Sequence, residues 1–184
     1  MNSPHTDPLR FWQHRRLTNR LLLPVSLVFS ALASLRRQAY ARHCFSSGHP
    51  GVPVVVVGNI FVGGTGKTPF VIFLVNWLRA RGMHPGVVSR GYGSGTSETL
   101  SSVSSNSLAS EVGDEPLLIH SKTHCPVVVC RDRLQAAHSL VTHHACDVIV
   151  TDDGLQHYRL QRNVEIAITD TQRGLGNGWL LPAG

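Results

Sequence analysis

Lys67 and Thr68 close a glycine-rich stretch, Gly58-Asn-Ile-Phe-Val-Gly-Gly-Thr-Gly-Lys-Thr68. An ammonium next to a hydroxyl, just after clustered glycines, suits the holding of a phosphate chain and its cation. Glycines let the backbone bend so that several N–H groups converge on one anion. A helix that follows adds its positive N-terminal end. In such a loop Gly63, Gly64, Thr65 and Gly66 form the cradle, Lys67 reaches the β- and γ-phosphates, and the Thr68 hydroxyl helps hold Mg²⁺. The general spacing G-x-x-x-x-G-K-[ST] calls for glycine at position 61, where this chain has Phe61. The loop is therefore a variant of the pattern.

The second group able to do chemistry is Asp152-Asp153, at the end of the apolar run Asp147-Val-Ile-Val-Thr-Asp-Asp153. An apolar strand ending in acid is the usual companion of a phosphate loop, its carboxylate binding Mg²⁺ directly or through water. Two adjacent carboxylates repel each other unless a cation compensates. The competing reading is one metal acid and one turn-capping Asp. Transfer of phosphate to an alcohol also needs a base, and Asp114 is the candidate, because Gly113 before it lets the backbone approach a ligand. Capping of a helix start is the plainer role for Asp114 and Glu115. His157 and His120 are weaker candidates for the base.

These side chains require elements to position them. The β-branched run Val54–Val57 suits a strand buried on both faces. A helix is expected over 68–81, with Pro69 in its first turn and Gly82 as its stop. Short strands are expected at 86–89, 126–129, 146–153 and 164–170, with a helix beginning near Asp114 and another over 131–142. Residues 94–110 are rich in serine and glycine and read as a loop or weak hairpin. Strands alternating with helices imply a parallel α/β sheet. The expected fold is a P-loop NTPase-like parallel sheet flanked by helices, over residues 48–184.

Residues 1–47 read differently. Leu21, Val25, Val28, Leu32 and Leu35 share one helical face, while Ser26, Ser30 and Ser34 share the other. As a helix, 21–35 would span roughly 22 Å, short of the ~30 Å hydrocarbon core. Arginines bracket it: Arg10, Arg15, Arg16 and Arg20 before, Arg36, Arg37 and Arg42 after. This describes an amphipathic helix lying in a membrane surface. Packing on the protein's own core is the alternative, and a cleavable signal is set aside because a phosphate loop follows. The net charge of +6 fits an anionic partner such as a nucleotide or acidic membrane. Aromatic-interleaved basic patches of the nucleic-acid kind are missing, so nucleic acid is not an expected partner. None of the four cysteines forms a C-x-x-C pair, which points to reduced thiols and away from a zinc site.

Five segments together resemble the tetraacyldisaccharide 4'-kinase family of the lipid A pathway in Gram-negative bacteria. They are Val57-Gly-Asn-Ile-Phe-Val-Gly-Gly-Thr-Gly-Lys-Thr-Pro69, Val88-Ser-Arg-Gly-Tyr-Gly93, Val112-Gly-Asp-Glu-Pro116, Thr151-Asp-Asp-Gly-Leu-Gln-His-Tyr158 and Asn177-Gly-Trp-Leu-Leu-Pro-Ala-Gly184. The family's own loop variant resembles the one here, which accounts for Phe61. The resemblance implies transfer of the ATP γ-phosphate to the 4'-hydroxyl of an acylated glucosamine disaccharide 1-phosphate, giving lipid IV-A. It implies Mg²⁺ and action at the cytoplasmic face of the inner membrane. Lys67 and Thr68 would bind phosphate and metal, Asp152 and Asp153 would serve the metal and the base, and Asp114 resembles the family's general base. The resemblance covers residues from about 11 to 184, the first part of the family's chain. A metal-binding glutamate and a histidine paired with the catalytic Asp belong to the part that follows in the family. The alternatives are a membrane-associated nucleotide-binding ATPase or switch, and a truncated nucleotide-binding fragment without turnover.

Overall fold

The structure is a computed structural model and describes residues 12, 14–15, 17–60, 66–91, 99–171 and 174–184. The chain divides into two compact units, one of Ser46–Ile168 and one that joins Thr169–Gly184 to the residues up to Phe45.

In the larger unit, six strands form one sheet: β1 (Val54–Asn59), β2 (Pro85–Ser89), β3 (Ser101–Ser102), β4 (Val127–Val129), β5 (Val148–Asp152) and β6 (Val164–Ile168). Their order is β3-β4-β2-β5-β1-β6. All neighbours pair in parallel except β3, which runs antiparallel to β4 at one edge. That two-residue edge strand lies within the Ser-rich stretch. The other strands start and stop within a few residues of their expected limits.

The valine runs form strands because both faces are covered. Val57, Val87, Val127 and Val150 pack with Val71, Val75 and Leu78 of helix α3 (Lys67–Arg79) and Ile119 of helix α5 (Asp114–Thr123). Val54, Val56, Val88 and Ile149 pack with Ala136, Ala137 and Leu140 of helix α6 (Arg133–His144). Adjacent residues of one strand thus feed opposite layers. Asp132 caps α6, its side chain accepting from the N–H groups of Leu134 and Gln135. A short helix α4 (Ala109–Val112) precedes Gly113.

The smaller unit contains helices α1 (Leu17–Leu21) and α2 (Leu23–Ala41), with Pro24 in the first turn of α2 where no intrahelical N–H is lost. On the polar face of α2, Ser26 is buried, Ser30 is half-buried and Ser34 is exposed. Ser26 is only 4% exposed; its hydroxyl donates to the Leu180 carbonyl (2.9 Å) and accepts from the Ala183 N–H (3.0 Å). Asn19 is buried and its amide donates to the Ala183 carbonyl at 2.8 Å. Asn177 donates to that same carbonyl, and Arg15 lies over the Trp179 ring. The apolar face is turned outward, with Leu21 80% exposed and Val25, Val28, Leu32 and Leu35 all exposed. Among the described residues the helix meets protein through Ser26 rather than through its apolar face. Among the described residues no helix is long and apolar enough to cross a membrane.

Candidate active site

Parallel strands end at one edge of their sheet, so the turns that follow them are brought together there. Strands β1 and β5 are neighbours, with Val57 opposite Asp152. The glycine-rich stretch leaves β1 and the paired acids end β5. Their side chains consequently meet: Lys67 Nζ lies 2.9 Å from Asp153 Oδ1. Phe61–Thr65 lie outside the described residues, so the expected contributions of Gly63, Gly64 and Thr65 do too. Gly66 is described and is left-handed (φ 78°) directly before Lys67, a conformation that glycine adopts without steric cost. Thr68 follows in the first turn of α3 and is half-buried.

The two aspartates occupy contrasting environments. Asp152 is 1% exposed, and neither carboxylate oxygen has a hydrogen-bond partner among the described residues. Burial pushes its pKa up to about 6, helped by the charges of Glu115 and Asp153 and opposed by Lys67 and Arg133. A buried carboxylate with both oxygens unmet is unfavourable unless something charged or hydrogen-bonding completes it. A divalent cation is the chemistry that fits such a carboxylate, with Asp153 next to it in the chain and Thr68 next to the Lys67 that pairs with Asp153. Asp153, by contrast, has its side chain 61% exposed and its backbone left-handed (φ 57°). Its carbonyl accepts from Nη1 of the buried Arg133 at 2.6 Å. Burial draws the Arg133 pKa down, while Asp153 and Asp152 draw it back up.

The turn after β5 is pressed onto β1. The Gly154 N–H donates to the Val57 carbonyl at 3.3 Å. A Cβ on Gly154 would collide with Thr151 Oγ1 and come within 2.9 Å of Val56 Cγ1. His157 closes the turn, with Nε2 unpartnered among the described residues. Burial, then Arg133, pushes its pKa down to about 4, so it is neutral at pH 7.

Asp114 begins α5 after Gly113, whose φ of 91° and ψ of 153° are open essentially to glycine alone. It is exposed and lines a cleft with Ser105, Leu117, Leu118 and His120. The neighbouring Glu115 is the residue whose charge acts on Asp152. The structure therefore brings together Lys67, Asp152 and Asp153 and adds the charges of Glu115 and Arg133, whereas Asp114 stands on the wall of a cleft that none of these residues lines. His120 is occupied structurally, its Nδ1 3.0 Å from the Cys125 carbonyl. Arg133 carries no sequence signal beyond its position at a helix start. Glu115 was legible only as a helix-start acid.

Comparison with known proteins bears on the same residues. The family model described as Tetraacyldisaccharide-1-P 4'-kinase matches residues 18–184. The chain is 54% identical over 176 residues to the tetraacyldisaccharide 4'-kinase of Thiobacillus denitrificans, covering 95% of this chain and 53% of that protein. It is 56% identical over 174 residues to the one from Janthinobacterium sp., covering 94% and 50%. The crystal structure of the "apo" form of LpxK from Aquifex aeolicus in complex with ATP matches with a TM-score of 0.78 at 32% identity, over 91% of this chain and 53% of that one. The chain spans about half the length of the curated relatives it matches.

Proposed function

This chain belongs to the tetraacyldisaccharide-1-phosphate 4'-kinase family, and on that footing we propose that it carries the nucleotide-binding part of an enzyme that moves the γ-phosphate of ATP to the 4'-hydroxyl of an acylated glucosamine disaccharide 1-phosphate. The product is lipid IV-A. The observation that carries the reading is the meeting of Lys67 with Asp153 beside the buried, unmet carboxylate of Asp152.

In this reading Lys67 exchanges its ion pair with Asp153 for the β- and γ-phosphate oxygens. Both partners retain some solvent contact, so the exchange costs little. Thr68, Asp152 and Asp153 are the residues that would hold Mg²⁺, which neutralises charge on the phosphate oxygens when bound. The cradle of Gly63, Gly64, Thr65 and Gly66 orients the phosphates. Asp114 takes the proton from the 4'-hydroxyl as its oxygen bonds to the γ-phosphorus and the bond to ADP breaks. The exposed apolar face of α2, with Arg20, Arg36, Arg37 and Arg42 around it, rests in the anionic cytoplasmic surface of the inner membrane. Acyl chains of the acceptor can then stay in the bilayer while its sugar reaches the site.

The test is phosphate transfer from ATP to a tetraacyl disaccharide 1-phosphate in mixed micelles with Mg²⁺, beside Lys67→Ala and Asp114→Ala. Transfer lost in both variants supports the assignment. Bound ATP without transfer would mean that turnover requires the remainder of the family's chain. No ATP binding at all would refute the site.

A further inference from the structure

We propose that Arg162 is a positioning residue for this reaction: its guanidinium clamps the backbone of the turn that presents Asp153. The inference rests on the kinase reading of the site.

The turn 153–157 has little regular structure to hold it. One side leans on β1, where a Cβ on Gly58 would lie 2.6 Å from Leu155 Cγ. The other side is held by arginine. Arg162 Nη1 donates to the carbonyls of His157 (3.1 Å) and Gly154 (3.4 Å), and Nη2 donates to that of Leu155 (2.9 Å). Its Nε is paired with Glu165 at 2.6 Å, and its plane lies 5.1 Å from the Tyr158 ring. The side chain is 10% exposed. Arg133 takes the Asp153 carbonyl. Two arginines thus occupy the carbonyls of residues 153, 154, 155 and 157.

Surface arginines seldom do this. A guanidinium in a fixed plane can bridge three carbonyls and a carboxylate at once, whereas the point charge of a lysine cannot. Glu165 and Tyr158 fix that plane from two sides. Asp153 holds a left-handed backbone, which persists only when its surroundings over-determine it. Releasing the clamp would let the turn relax, and the carboxylates would lose their aim while remaining present. Loss of such outer support typically lowers metal affinity or activity about 10–100-fold.

The experiment compares Arg162→Lys and Arg162→Met with the parent chain and with Arg79→Lys. Arg79 donates to the Thr123 carbonyl at the far end of α3 and serves as the purely structural comparator. Two quantities are read: hydrogen exchange over residues 153–157, and the Mg²⁺ concentration needed for half-maximal ATP binding by calorimetry. The expected result is faster exchange in that turn for both Arg162 variants. The Mg²⁺ requirement should rise about 10–100-fold, lysine giving no rescue and Arg79→Lys leaving it unchanged. Unchanged exchange overturns the clamp. Faster exchange with an unchanged Mg²⁺ requirement, or a shift matched by Arg79→Lys, overturns the positioning role. A parent chain that binds no Mg²⁺-ATP refutes the kinase reading and the positioning role with it, while the exchange measurement still reports separately whether the clamp exists.

Discussion

The sheet unit and the helical unit follow opposite rules. In the sheet unit valines fill both layers and charge gathers at the ends of β1 and β5, where Lys67, Asp152 and Asp153 meet. In the helical unit Ser26 and Asn19 are buried while Leu21, Val28 and Leu32 face outward. The first is the pattern of a domain folded against water. The second leaves an apolar stripe that water does not favour, rimmed by arginines, and suits a lipid surface. The difference teaches that the two units are built for different boundaries: one gathers charge at the ends of its strands, the other exposes an apolar stripe.

The largest way to break this contrast is to make the outward face polar. Val28→Gln with Leu32→Gln removes two apolar side chains from any lipid contact, worth roughly 3–6 kcal/mol of partitioning. Flotation with anionic vesicles should be lost. Thermal stability should stay within the small range expected of exposed sites, about 0.5 kcal/mol for each position. Vesicle binding that survived would assign the face to something other than lipid. Next in size is Lys67→Ala, which should cost about 2–5 kcal/mol in Mg²⁺-ATP binding. Stability should hardly change, because Asp153 is solvated enough to stand alone. Calorimetric titration and a melting curve on the same sample check both statements.

Much of this was legible in the chain, and what was not has a physical reason. β-branched runs and glycine stops announce strands and helices locally, so the sheet and the two acidic and basic groups could be read off. The face of α2 was legible from its period. That Ser26 would be buried was not, since it binds backbone groups of Leu180 and Ala183, which have no periodicity to read. The same applies to Arg133 and Arg162. They serve carbonyls, and any residue type offers a carbonyl. Glu115 looked like a helix-start acid, and only the folded chain lets its charge bear on Asp152.

Asp152 sharpens the contrast from the sheet side. Its folded pKa is raised to about 6, above the ordinary carboxylate value of 3.8. A raised acid binds more protons folded than unfolded, so its effect on stability falls as pH rises from about 4 to about 6 and stays low above that. Asp152→Asn should therefore be more stable than the parent at pH 7.5 without Mg²⁺, by about 3 kcal/mol as an upper figure from the size of the shift. The gain should vanish near pH 4. Mg²⁺-ATP should stabilise the parent and not the variant. A pH-independent difference would mean that packing, and not charge, sets the cost of this residue.

The smallest expected effect tests the helical unit from within. Ser26→Ala removes one hydroxyl and adds no bulk, and on an ordinary amphipathic helix a serine on the polar face tolerates alanine freely. Here the hydroxyl is buried and answers both the Leu180 carbonyl and the Ala183 N–H. Removing it leaves two backbone groups unmet, a loss of about 1–3 kcal/mol. Leu32→Gln, on the apolar face, should cost no more than about 0.5 kcal/mol. Denaturant titration of the two variants side by side gives the comparison directly. If the leucine change is the more damaging, the apolar face is packed against protein in solution and the helix follows the same rule as the sheet. If the serine change is the more damaging, the unit is held together through its polar face, and its apolar face is free for a membrane.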